Sequence, residues 1–175
     1  MSVIINKAVL LSVQPKWCEL IASNRKSLEL RKSKPNLPTP FKCYIYQTKF
    51  RWLYKILRGI KLFDLADRLQ RGRGKVIGEF VCDHILGHCE MANADIAERL
   101  SCVRRENILQ YSGGKEVFGW HISDLKIYDE SKELDWFRKP GGCWPLPGSV
   151  KCFACHECEI KRPPQSWCYV APQQM

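Results

Sequence analysis

The sequence predicts an α+β fold, a small mixed β-barrel with short flanking helices. Three observations lead there. Short apolar or alternating runs bounded by turn residues recur, as at residues 43–47, 76–82 and 166–170, which is how short, half-buried strands read. Helical spacing occurs mostly in brief stretches between these runs, so a βαβ sheet does not fit. There is no internal repeat, and 175 residues is the size of one domain.

Taken in order, residues 1–13 read as a strand, with Val3, Ile4 and Ile5 followed by the run Ala8–Val13. Gln14 and Pro15 end it. Pro15 suits the first turn of a helix, where its missing N–H costs nothing. Trp17, Leu20 and Ile21 have helical spacing, so residues 15–23 form a short amphipathic helix, stopped by Ser23 and Asn24. Residues 27–31 are a strand. Pro35, Pro38 and Pro40 stiffen a loop, and residues 43–47 form the next strand. Residues 50–73 carry a roughly helical pattern with Gly59 as a break. Residues 71–74 turn and 76–82 form a strand. Short helices follow over 93–100 and 106–111, the second ended by Ser112, Gly113 and Gly114. Residues 118–125 and 126–128 read as strand, turn and strand. Residues 130–139 are polar, with Leu134, Trp136 and Phe137 as anchors. Residues 141–148 are a Pro/Gly-rich loop, and 166–170 form the last strand.

Composition narrows the partners. Hydrophobic residues make up 45% of the chain, which fits a packed domain, and the net charge is +10. That charge favours polyanions: RNA, DNA or an anionic surface. Much of it lies between Lys49 and Lys75, where nine basic residues face two acidic ones for a net +7. The insertion at 50–73 is thus a solvated helical face, a phosphate-tracking patch with interleaved aromatics, or an amphipathic surface helix. No apolar run approaches the ~20 residues a membrane span needs. No signal-peptide pattern is visible. The expectation is a cytoplasmic protein with no membrane partner, in which ten cysteines are thiols or metal ligands rather than a disulfide frame.

Cysteine spacing in the segment 143–158 is suggestive. Cys152, Cys155 and Cys158, with Cys143 upstream, can wrap a structural tetrahedral Zn²⁺, His156 or Cys168 being other candidates for the fourth ligand. An iron–sulfur cluster would need a cysteine near Arg162. Uncoordinated thiols in a loop are the plain alternative. Cys82, His84, His88 and Cys89 form a second possible group, which a core thiol with loop histidines also explains. His121 reads as a satisfied strand residue. Trp17, Trp120 and Trp167 read as core, though one could offer a stacking face. No catalytic Ser/His/Asp or Cys/His spacing, Walker loop or dinucleotide fingerprint is present.

The most informative stretch is Asn24-x-Lys26-x-x-Glu29-x-Arg31. Strand alternation puts Glu29 and Arg31 on one face with Ser27, and Leu28 and Leu30 on the other. Lys26 sits where the chain enters the strand. These charges can hold an anionic or amide-bearing ligand. They can equally form an exposed ion-pair ladder, worth about 0–1 kcal/mol.

This pattern resembles the G-x-K-x-x-E-x-R signature of the ASCH family, small PUA-like β-barrels. Asn24 replaces the glycine, and Asn tolerates the left-handed conformation a turn there needs. Residues 11–17 (LSVQPKW), 119–125 (GWHISDL) and 163–170 (PPQSWCYV) resemble the phage-like, bacterial branch of the family. Residues 50–73 and the cysteine-rich segment lie outside the likeness. The resemblance implies a cleft between barrel and first helix that holds RNA or a modified nucleoside. Lys26 and Arg31 would contact phosphate or a carbonyl, and Glu29 would orient Lys26 or accept from a base edge. Ser12, Trp17, Gln165 and Ser166 would complete the lining. The function implied first is a nucleic-acid-binding module, RNA foremost. Relatives that deacylate acetylated cytidine imply an amidohydrolase instead, with Lys26 and Glu79 catalytic, although Glu29 stands where those relatives carry a Thr nucleophile. Coactivator-associated relatives imply a third reading, a zinc-stabilised protein-interaction domain.

Overall fold

A computed structural model describes residues 7–49, 59, 73–87, 94–141 and 158–173. The elements run β1 (Ala8–Val13), α1 (Pro15–Ala22), β2 (Leu28–Arg31), β3 (Phe41–Gln47), β4 (Val76–Cys82), β5 (Ile85–Leu86), α2 (Ala94–Ser101), α3 (Arg105–Ser112), β6 (Phe118–His121), β7 (Ser123–Lys132), a 3₁₀ turn (Leu134–Trp136) and β8 (Trp167–Val170). The α+β class with short helices is as expected. The strands divide into a five-stranded sheet, β7-β4-β3-β1-β8, and a three-stranded sheet, β2-β6-β5. Among the described residues the two sheets do not close into one hydrogen-bonded barrel.

β1 is central and every one of its residues is buried, because both faces of the large sheet are covered. A strand covered twice reads as a continuous apolar run rather than an alternation. Val9, Leu11 and Val13 pack with Cys18 and Ile21 of α1, with Ile45, Phe80 and Cys82, and with Trp120 of the small sheet. Leu10 packs on the other side with Tyr44, Val76, Phe137, Ile160 and Val170. β1 pairs parallel with β3 and antiparallel with β8. A parallel pair needs a crossover. Here the crossover holds α1 and β2, so the signature strand is carried out of the large sheet and into the small one, antiparallel to β6.

α1 begins as read, with Pro15 in its first turn. It ends where the Ser23 hydroxyl donates to the Glu19 carbonyl at 2.8 Å. Asn24 then takes a left-handed φ of 56°, the conformation a glycine would adopt most cheaply and Asn accepts. The amides of Arg25 and Lys26 both donate to the Leu20 carbonyl, which turns the chain into β2.

Two local expectations are corrected. The break in the 118–128 region falls at Ile122, between β6 and β7, and residues 123–132 continue as one strand with Asp124 at φ 46°. The chain changes sheets there, and an apolar pattern alone does not show such a switch. Of the three anchors expected in 130–139, Phe137 is fully buried, but Trp136 is 56% exposed, because the short 3₁₀ turn swings it outward. The strand expected over residues 1–5 lies outside the described residues, as does the insertion 50–73 apart from Gly59 and Arg73. Among the described residues no helix is long and apolar enough to cross a membrane.

Candidate functional site

β2 delivers Glu29 and Arg31 to one side and Leu28 and Leu30 to the other. The leucines pack with Val117, Leu100, Val103 and Ile108, against the α2–α3 layer. The charged side chains are not an exposed ladder. Lys26, Glu29 and Arg31 are 2%, 6% and 7% exposed, and they form one connected cluster.

The Lys26 ammonium donates to the Leu28 carbonyl at 2.8 Å and to the Ser101 carbonyl at 2.7 Å. Its third contact is Glu29 Oε2 at 3.4 Å, and it stands 5.0 Å from the centroid of the Trp17 ring. Ser101 is the last residue of α2, whose carbonyl end favours a cation. Glu29 Oε1 accepts from Arg31 Nη2 at 2.9 Å. The same Nη2 donates to the Ser12 carbonyl at 2.7 Å, while Nη1 reaches the Ser166 carbonyl and hydroxyl, both at 3.3 Å. Arg31 Nε is buried without a hydrogen-bond partner among the described residues.

Burial pushes the Lys26 ammonium below its usual pKa, and the neighbouring Glu29 carboxylate partly offsets that. Taking these charges out of water is costly, and the cluster persists because nearly every donor and acceptor is matched. Two cations against one carboxylate leave one excess positive charge at the bottom of a cleft.

That cleft has a volume of about 850 Å³. Its lining includes all seven residues expected from the sequence: Ser12, Trp17, Lys26, Glu29, Arg31, Gln165 and Ser166. Residues 163–166 reach it because they are laced to β1. The Ser12 amide donates to the Ser166 carbonyl at 2.9 Å, and the Ser12 hydroxyl donates to the Pro164 carbonyl at 2.7 Å. Sequence reasoning missed a further wall, Asn107, Ile108 and Tyr111 of α3. It also missed the lysines near the cleft aromatics. Lys16 Nζ lies 4.2 Å over the Trp17 ring, Lys32 Nζ lies 4.9 Å over Tyr111, and Lys49 lines the cleft.

The other expected residues fall elsewhere. Glu79 is buried on β4, bonded to Lys42 Nζ at 3.1 Å and to the Tyr128 hydroxyl at 2.6 Å, and does not line the cleft. Register explains this: Glu79 pairs with Tyr44, two residues along β3 from Tyr46, the tyrosine that lines the cleft. Of the four cysteines read as zinc ligands, Cys158 is described and buried; Cys143, Cys152 and Cys155 lie outside the described residues, as do His88 and Cys89. Cys82 belongs to the core. His121 is half-buried and bonds Asp83.

No protein-family profile matches the chain, and no curated protein matches it by sequence. Solved structures do match. The crystal structure of ASCH from Zymomonas mobilis superposes with a TM-score of 0.53 at 14% identity, over 93% of this chain and 86% of that one. A serine-to-alanine variant of that protein gives 0.58 at 16% identity, over 94% and 88%. A tyrosine-to-phenylalanine variant gives 0.50 at 17%, over 73% and 76%.

Proposed function

We propose that this chain, which has the ASCH fold, is a nucleic-acid-binding module that takes single-stranded RNA into the cleft over Lys26, Glu29 and Arg31. The observation that carries the reading is the pairing of a buried, net-positive floor with aromatic walls that have lysines beside them. Phosphate is drawn by the excess charge and by Lys16, Lys32 and Lys49. Bases have π-faces on Trp17 and Tyr111, and stacking of this kind is worth about 1–3 kcal/mol per base.

The cluster at the floor acts by positioning. Lys26 has its donors engaged by two carbonyls and Glu29, so it fixes the shape and sign of the floor rather than reaching out for a ligand. Arg31 holds β1, β2 and the 163–166 segment in register through Ser12 and Ser166. The groups with remaining capacity toward a ligand are the Gln165 amide, the Ser12 and Ser166 hydroxyls and the mouth lysines. Tyr46 and Thr48, also in the lining, add hydroxyls that could meet a ribose.

A deacylase would want a carboxylate next to Lys26 from a later strand. Glu79, the candidate for that part, is engaged by Lys42 and Tyr128 outside the cleft, and the module reading is therefore preferred.

The test is fluorescence anisotropy of labelled single-stranded RNA across a salt series, with the wild type, Lys26→Met and Trp17→Ala. Binding should weaken steeply with salt through counterion release and fall in both variants. Wild-type affinity that is absent at low salt would refute the proposal. Turnover of an acetylated cytidine would move the assignment to the amidohydrolase.

A further inference from the structure

On the small sheet, away from the cleft lining, three donors from two loop residues and a strand end meet. Asp83 Oδ1 lies 2.7 Å from His121 Nδ1 and 3.1 Å from His84 Nδ1. The two imidazoles are stacked, 4.3 Å between centroids and 21° between planes. One ligand atom from each residue lies within 4.8 Å of the others. The backbone fixes this arrangement. The His121 amide donates to the His84 carbonyl at 3.1 Å, and β5 and β6 pair through Ile85 and Trp120 directly beside it. The two-residue loop that carries Asp83 and His84 is anchored at both ends by β4 and β5, which limits the rearrangement a cation would require.

We infer that Asp83, His84 and His121 form a binding site for a divalent transition cation of the Zn²⁺ class. Two imidazoles and one carboxylate are the donor set that zinc takes when it keeps a position open. Donors around a tetrahedral zinc stand roughly 3.3 Å apart, from bond lengths of about 2.0–2.2 Å. The two N···O separations here are already within about an ångström of that. At present each Nδ1 faces the carboxylate. A carboxylate only accepts, so the Nδ1 facing it carries the hydrogen; for a neutral ring to bind, that proton leaves Nδ1 to solvent while Nε2 takes one up, and the freed Nδ1 lone pair turns to the cation. The side chains are 41%, 50% and 28% exposed for Asp83, His84 and His121, which leaves a route for the ion and a coordination position for water. The bound cation would clamp the β4–β5 loop to the end of β6. Its three residues belong neither to the cysteine-rich segment in sequence nor to the cleft lining.

The experiment uses the full chain, stripped with chelator and then titrated with ZnCl₂. Long-range ¹H–¹⁵N spectra report the rings of the four histidines. The His84 and His121 signals should move together, and His121→Ala should abolish the response of His84, as His84→Ala should that of His121. Equilibrium dialysis with metal analysis should show one zinc per chain fewer in His121→Ala than in the wild type, a difference that cancels any zinc held by cysteines. Asp83→Asn should weaken binding at least tenfold. Unmoved His84 and His121 signals at saturating zinc, or equal zinc content in wild type and variant, would overturn the assignment. Should His121→Ala fail to fold by circular dichroism, His84→Gln, on an exposed side chain, supplies the same comparison.

Discussion

Glu29 Oε1 sits 2.9 Å from Arg31 Nη2, two residues along one strand and both nearly out of reach of water. The other oxygen of the same carboxylate faces Lys26. One anion therefore holds two buried cations, and the floor of the cleft depends on it more than on either partner.

Glu29→Gln keeps the shape and removes that charge. Lys26 and Arg31 are left as adjacent buried cations. Removing one member of a buried ion pair costs about 3–5 kcal/mol, and urea unfolding should show a loss of that size. Unfolding midpoints that coincide with the wild type would mean the cluster is far more hydrated than its burial implies.

Trp17 and Lys16 should separate stacking from charge. Trp17→Ala should lower RNA affinity by about 1–3 kcal/mol and leave the salt dependence in place. Lys16→Ala should shrink the slope of log K against log salt by about 0.7 for a single strand. Anisotropy titrations at several salt concentrations read both quantities from one set of curves.

Gly119 lies opposite Leu30 in the β2–β6 ladder, and a Cβ there would stand 2.8 Å from Leu28 Cδ2 and 2.9 Å from its Cγ. Leu28 is fully buried and cannot step aside. Gly119→Ala should therefore cost about 1–3 kcal/mol as overpacking and, by shifting β2, weaken RNA binding as well. Thermal unfolding and anisotropy together check it; a neutral effect on both would show that β2 is free to move.

Alkaline pH should destabilise the fold through its buried thiols. Burial pushes Cys18 and Cys82 up to about 12 and Cys43 well above 9. Between pH 9 and 12 the unfolded chain releases these protons and the folded one keeps them, so stability present below pH 9 is lost as pH rises, by up to about 1.4 kcal/mol per pH unit for each thiol. Lys26 works in the opposite direction, since its folded-state pKa is lowered. Urea midpoints from pH 8 to 11 should fall, and fall less steeply in Cys82→Ala; an identical slope in the variant would remove Cys82 from the account.

How far the sequence could be read depended on the range of the interaction. Alternation over residues 27–31 was enough to put Glu29 and Arg31 on one face. The turn at Asn24 was legible because a left-handed residue there is a local need. That the charges are buried was not legible, because the covering groups come from afar: Ser101 closes over Lys26 from 75 positions away, and Ser166 meets Arg31 from 135. The α3 wall was invisible as a site because its helix buries none of its residues and carries no charge motif. Glu79 is not beside Lys26 because position along the sheet depends on pairing register: it pairs with Tyr44, two residues along β3 from the cleft-lining Tyr46, and its carboxylate is held by Lys42 and Tyr128. The Asp83, His84 and His121 cluster joins residues 38 positions apart, a distance that no local spacing reveals.

The pairing of β8 with β1 has a consequence for how the protein comes into being on the ribosome. The earliest described strand finds its antiparallel neighbour only after residue 170 has been made, and the Arg31 guanidinium meets Ser166 only then. Until that moment a nascent chain carries the signature residues without the pocket they shape. The proposed cleft should thus become complete abruptly, once residues 163–170 have been made and β8 has paired with β1.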